Sequence, residues 1–181
     1  MFLRIANLTR SSIALDLADV QRVLVPAGSE GERTLVHPGD VLFSITAFLG
    51  SVAVFPDSGE TAYVSQHVAL ARLGGQTLRP QWVGYVALSK LGKTWFDLQS
   101  YGGTKIQLSL DDIRCMPVTV PPPEEQDRIV ASIESRLSQI DSLIDMAERA
   151  IGLLGERRSA LISAAVTGQI DVRNAVPVEV A

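Results

Sequence analysis

The sequence predicts an α+β chain: a mixed, strand-rich domain over residues 1–120, a long coiled-coil-type helix over 121–170 and a tail over 171–181. Three observations predict it. Short apolar runs between glycine, proline and aspartate breakers recur through residues 35–75. An apolar repeat with steps of three and four occupies residues 133–165. Between the two regions stand Pro121, Pro122 and Pro123.

The run RTLVHPGDVLFSIT predicts a turn at His37–Asp40 and then a buried strand from Val41 to Ile45. Phe48 to Phe55 reads as its hairpin-like partner, interrupted at Gly50, and Tyr63 to Leu73 as a third strand. Pro80 to Phe96 reads as one short helix, with Trp82, Val83, Val86, Leu88 and Leu91 apolar. SYGGTKIQLS is a loop into a short strand, and Asp111, Asp112 and Ile113 begin a single helical turn. Met116 to Val120 reads as a strand that runs into the prolines. Trp82, Trp95 and Tyr101 are expected to fill the core rather than to stack on a ligand. The end beyond Ile170, with Pro177, is expected to fray.

The seam of the long helix is Ile133, Leu137, Ile140, Ile144, Ala147, Ile151, Leu154, Leu161 and Ala165; Arg158 is its charged exception. Pro123 suits the first helical position, and Glu124, Glu125 and Asp127 favour the positive end of the helix dipole. Gly168 after Thr167 is a stop signal. Gly152 and Gly155 are awkward inside a helix, at about 1 kcal/mol each against alanine. At ~1.5 Å per residue the rod would be on the order of 65 Å. A helix of that length cannot bury its own seam, so it is expected to lie against another long helix and to act as a spacer or joint. The plainer alternative is an amphipathic helix packed on its own domain, for which the seam is too long and narrow.

The 181 residues suit one or two small domains. The single cysteine, Cys115, cannot form an internal disulfide; it is read as a small core residue, which fits a reducing cytoplasm. The first residues lack a long apolar run, so neither a signal peptide nor a membrane span is expected. The net charge is −4. Residues 1–120 hold ten Lys/Arg and ten Asp/Glu, and residues 121–181 hold six and ten. The acidity therefore belongs to the helix and tail. The first region is neutral and can still present a basic face, although it contains no basic run.

No catalytic constellation stands out. His37 and His67 lack metal-ligand spacing and are read as structural or surface residues. The LGGQ and YGGT segments lack the lysine and hydroxyl of a Walker phosphate loop, and no methyltransferase N-P-P-Y or D-P-P-Y motif occurs. The chain is therefore expected to bind no metal or cofactor of its own, to hydrolyse no ATP and to transfer no methyl groups.

The run YGGTKIQLSLDDIRCMPVTVPPPEEQDRIV and the helix ending SALISAAVTGQI resemble the specificity subunit of type I restriction-modification enzymes. The residues that carry this resemblance are Gly102, Gly103, Thr104, Leu108, Ile113, Pro117, Pro121, Pro122, Glu125, Gln126 and Ile129. Upstream, Gly39, Asp40, Leu42, Ser44 and Gly50 match a second family segment. The similarity runs from about Arg4 to Ile170. It implies one target-recognition domain for double-stranded DNA followed by a spacer helix. Family members usually carry two such domains, with antiparallel helices that dock the methyltransferase (modification) subunits and, through them, the restriction subunit. S-adenosylmethionine is expected on the partner and not on this chain. Here a single domain and helix are present, and the family's opening segment is not matched. The chain is expected to be a half-subunit, a fragment or a gene remnant, with a bare sheet edge where strands are missing. Pairing with a second copy or another half-subunit is expected through the helix seam. The alternative is a coiled-coil oligomerisation or adaptor protein with no DNA role.

On that resemblance the candidate DNA contacts are loop residues. Lys90 and Lys93 flank Gly92, and Lys105 follows the Gly102–Thr104 turn, with Thr104 itself included. Arg72, Arg79, Gln66 and Thr46 complete the set. For each of them the plainer reading is a solvated surface group.

Overall fold

The computed structural model describes residues 1–25, 30–100 and 107–171. The elements are β1 (Phe2–Leu3), β2 (Leu35–Val36), β3 (Val41–Ser44), β4 (Val52–Val54), β5 (Ala62–Val64), β6 (Val68–Ala71), α1 (Pro80–Leu88), α2 (Lys90–Gln99), α3 (Leu110–Arg114) and α4 (Pro123–Val166). Met1–Ala131 forms one compact unit and Ser132–Ala181 a second. The division falls inside α4, because its buried residues, Gln126 and Val130, both lie in its first turns.

The first unit is built on two three-stranded sheets, ordered β1-β5-β2 and β4-β3-β6. In the second sheet β3 is central and antiparallel to both neighbours, with Val41 opposite Val54 on one side and Ala71 on the other. All four residues of β3 are buried. The reason is that both faces of the strand are covered. Val41 and Phe43 belong to a core shared with Val83, Ala87 and Phe96 of α1 and α2, whereas Leu42 joins Leu3, Ala62 and Val64 of the other sheet. Alternation therefore sorts β3 residues between two cores rather than between core and water.

Residues 9–13 extend the β4-β3-β6 sheet beyond β4. Val52 N–H donates to the Thr9 carbonyl at 3.1 Å and Val54 N–H to that of Ile13 at 2.8 Å. The outer edge of β4 is thus paired by the chain's own residues 9–13, in place of the bare edge that the sequence reading expected somewhere in the domain.

Several elements differ from the sequence reading. The run from Tyr63 to Leu73 is two strands, β5 and β6, broken by a turn at Ser65–His67, where Val68 N–H donates to the Ser65 carbonyl. The second strand begins at Val52 rather than Phe48. The helix expected over Pro80–Phe96 is two helices, interrupted by the extended backbone of Ser89 (φ −67°, ψ 170°). Gly92 makes that corner possible: a Cβ there would lie 2.2 Å from the Ala87 carbonyl oxygen. Residues Met116–Val120 belong to no strand. Cys115 is exposed rather than in the core, since it caps the C-terminus of α3.

Other expectations hold. The turn before β3 forms, α3 is a single capped turn, and α4 runs from Pro123 to Val166 with Gly168 following at φ +74°. Trp95 packs against the core as expected, whereas Trp82 is half-buried and outside it, and the two fasten α3 and the segment after it. Their indole N–H groups donate to the carbonyls of Thr119 at 2.8 Å and Asp112 at 3.0 Å. Tyr101 and the end beyond Asp171 lie outside the described residues. Among the described residues no helix is long and apolar enough to cross a membrane.

Candidate nucleic-acid interface

The register of β3 divides the central sheet into two ends with different chemistry. At the entry end, Asp40 directly precedes β3 and Arg72 directly follows β6. Asp40 is 2 % exposed. Its carboxylate accepts the His37 N–H at 2.7 Å and a bidentate pair from Arg72, Nε at 2.9 Å and Nη2 at 2.7 Å. Arg72 also donates to the Leu35 carbonyl. The two-point ion pair holds the Arg72 pKa above its ordinary value, chiefly through the hydrogen bond to Asp40.

Beside it lies a second knot. Arg79, the residue before α1, makes a bidentate pair with Asp127 of α4 at 2.8 and 2.9 Å, and the hydrogen bond raises its pKa too. Gln126 is fully buried. Its Oε1 accepts the Arg79 N–H, and its Nε2 donates to the carbonyls of Thr77 and Pro121, all within 2.9 Å. One side chain thereby joins the start of α1, the loop before it and the proline turn that opens α4.

The exit end is open. Beyond Ser44 the chain turns through residues 45–51. The Ser44 hydroxyl donates to the Thr46 carbonyl at 2.7 Å, and Ser51 N–H donates to the Phe48 carbonyl at 3.1 Å. Ala47 has φ +58°, a left-handed backbone that costs a non-glycine residue roughly 1–2 kcal/mol. Gly50, at φ +79°, supplies the second left-handed position without that penalty. The result turns Leu49 inward against the core and leaves Phe48 59 % exposed. The Arg10 guanidinium stands over the Phe48 ring, 5.7 Å from its centre. A cavity of about 340 Å³ beside the loop is lined by Arg10, Ala47, Gly50, Lys93, Asp97 and Ser100, among others.

Around this loop the same end gathers polar groups. Thr46 bridges to Gln107, and Leu108 N–H donates to the Ile45 carbonyl. The Ile45 N–H donates to the His67 carbonyl, which brings the Gln66–His67 turn alongside; the two side chains lie 3.2 Å apart, Nε2 to Nε2. Lys90 and Lys93 are exposed one turn apart on α2. Arg10, Lys90 and Lys93 have no carboxylate partner among the described residues, whereas Arg4, Arg72, Arg79 and Arg114 are all ion-paired. Also among the described residues, no group of three or more His, Cys, Asp or Glu side chains comes together as a metal site.

A family model, that of the type I restriction modification DNA specificity domain, matches residues 29–151. The chain belongs to this family. Solved structures show the same fold. One is the HsdS subunit from Thermoanaerobacter tengcongensis, with a TM-score of 0.66 at 16 % identity, covering 98 % of this chain and 44 % of that one. Another is a chain from a structure described as the basis of complex assembly and conformational transition of the type I R-M system, with a TM-score of 0.66 at 17 % identity, covering 98 % and 45 %. The specificity-domain chain thus spans under half the length of these relatives. No curated protein sequence matches it.

In this specificity domain the structure brings Thr46, Gln66 and Lys93 to the exit end, with Lys90 one turn before Lys93. It places Arg72 and Arg79 at the entry end, where carboxylates hold both guanidinium groups. Thr104 and Lys105, with Gly102 and Gly103, lie outside the described residues. His37 is a turn residue that gives its N–H to Asp40, and His67 sits at the exit end. The Gly39–Asp40 pair of the family segment forms the turn into β3. Sequence reasoning did not single out Arg10 and Phe48, which the structure sets beside each other at this end. The signal for Arg10 was the polar run Thr9–Ser12, and for Phe48 a large aromatic two residues before a glycine.

Proposed function

We propose that this chain is the DNA-recognition component of a type I restriction-modification complex and reads its target through the exit end of the β4-β3-β6 sheet. The contact set is Thr46, Gln66, Lys90, Lys93, Arg10 and Gln107, extended by Thr104 and Lys105. What carries the reading is the sorting of cations. Arg72 and Arg79 at the entry end are neutralised by carboxylates, whereas Arg10, Lys90 and Lys93 are left for a polyanion. Thr46, Gln66 and Gln107 beside them supply side chains of the kind that read base edges.

The chain provides sequence choice and no chemistry. Its partners are double-stranded DNA, a modification subunit that carries S-adenosylmethionine, and through it the restriction subunit, all in the cytoplasm where the genome lies. The α4 seam supports a further partner. Ile140, Ile144, Ile151, Leu154 and Leu161 are each 49–69 % exposed, and a second long helix, from another copy or another half-subunit, would cover them.

The test is co-expression of the full chain with the modification subunit of its own system. The complex should enrich one sequence from a random duplex pool and methylate adenine within it. A folded complex that enriches no sequence refutes the proposal.

A further inference from the structure

We infer that Phe48 and Arg10 form a unit that reads a pyrimidine 5-methyl group in the major groove, an inference that rests on the proposed DNA-recognition role. Phe48 is the exposed apolar side chain of a loop whose other residues are fixed from inside. The Ser44 hydroxyl holds the Thr46 carbonyl, Ser51 holds the Phe48 carbonyl, and Leu49 is anchored in the core. The left-handed Ala47 directs the backbone immediately before the ring. A backbone held in an unfavourable conformation so that a phenyl ring faces water has no folding rationale in the core. It does have one if the ring is a contact.

The neighbours decide what kind of contact. Arg10 stands over one face of the ring, a contact that stacking between two bases would break, so the geometry favours an edge contact over an intercalating wedge. Its edge and its other face remain available. An apolar ring edge beside Arg10, on a loop whose Ala47 lines one cavity with Arg10 and Lys93, suits the one apolar feature of a base edge, the methyl at C5. Thymine carries it, and so does 5-methylcytosine.

The complex of the full chain and the modification subunit is first used to select a duplex. Each thymine is then replaced singly by uracil and each cytosine by 5-methylcytosine, and affinity is measured by fluorescence anisotropy. Removal of the methyl at one thymine should weaken binding about fourfold, the equivalent of one buried methyl group. A gain of similar size at one 5-methylcytosine would instead identify the modified base as the source. Phe48→Ala should abolish the methyl effect while leaving the sequence preference elsewhere and the thermal unfolding unchanged. Phe48→Leu should retain part of it. A selected sequence with no methyl-sensitive position, or a methyl effect that survives in Phe48→Ala, overturns this inference and leaves the recognition role standing. Failure to select any sequence overturns both.

Discussion

Gln126→Leu should lower the melting temperature of the first unit by about 10 °C. The side chain is fully buried and makes three hydrogen bonds to backbone groups, two in the loop at Thr77 and Arg79 and one at Pro121. Each is worth about 1 kcal/mol net, so their joint loss costs about 3 kcal/mol, and leucine leaves the N–H of Arg79 and two carbonyls unpaired. A unit of 131 residues unfolds with an entropy near 0.3 kcal/mol per degree, which turns that loss into about 10 °C. Gln126→Glu is the sharper variant. It keeps the acceptor for Arg79 but loses both donations and sets a charge against the carbonyls of Thr77 and Pro121, so it should fall at least as far. Glu125→Ala, one residue earlier and exposed, should change the midpoint by less than about 2 °C. Tryptophan fluorescence is the assay, because both tryptophans, Trp82 and Trp95, lie in the first unit. A shift under about 3 °C for Gln126→Leu would refute the idea that this residue ties α1 to the start of α4.

Asp40→Asn should destabilise the same unit by about 2–3 kcal/mol, read by urea titration, since an amide turns donors toward Arg72 and the His37 N–H. Asp at both Ile140 and Ile144 should convert a helix-paired assembly to monomers in sedimentation velocity; a wild-type chain that is already monomeric at tens of micromolar without its partner would remove self-pairing. The Asp112 carboxylate accepts the Ser109 hydroxyl and N–H, which lower its pKa below 3.8. A depressed pKa gives stability that is present above the unfolded value and lost as pH falls through the folded one. Asp112→Asn should therefore flatten the acid limb of the stability curve below about pH 4 and leave its slope at pH 7 unchanged.

Much of the fold was legible where one local rule dominates. The spacing of Ile133, Leu137, Ile140 and Ile144 gives a long helix, the prolines mark its start, and Asp111, Asp112 and Ile113 announce the single turn of α3. The break between β5 and β6 was hidden because Ser65, Gln66 and His67 include no glycine or proline. The corner at Ser89 was hidden for the same reason, and Gly92, which permits it, sits inside the next helix. Met116–Val120 has strand-like residues but finds no partner strand.

The site was less legible. Arg72 and Arg79 meet carboxylates 32 and 48 positions away, and no local pattern reveals such a pair. Arg10 and Phe48 are 38 positions apart and meet only because residues 9–13 run along β4.

The central claim is that DNA lies against the exit end of the sheet and not the entry end. Its most direct test is the salt dependence of duplex affinity for the complex carrying Lys90→Ala with Lys93→Ala, beside one carrying Arg79→Gln. The log–log slope should fall by about one unit for each lysine that contacts phosphate, and Arg79→Gln should leave it unchanged. An unchanged slope in the double lysine variant, or a reduced slope in Arg79→Gln, would contradict the account.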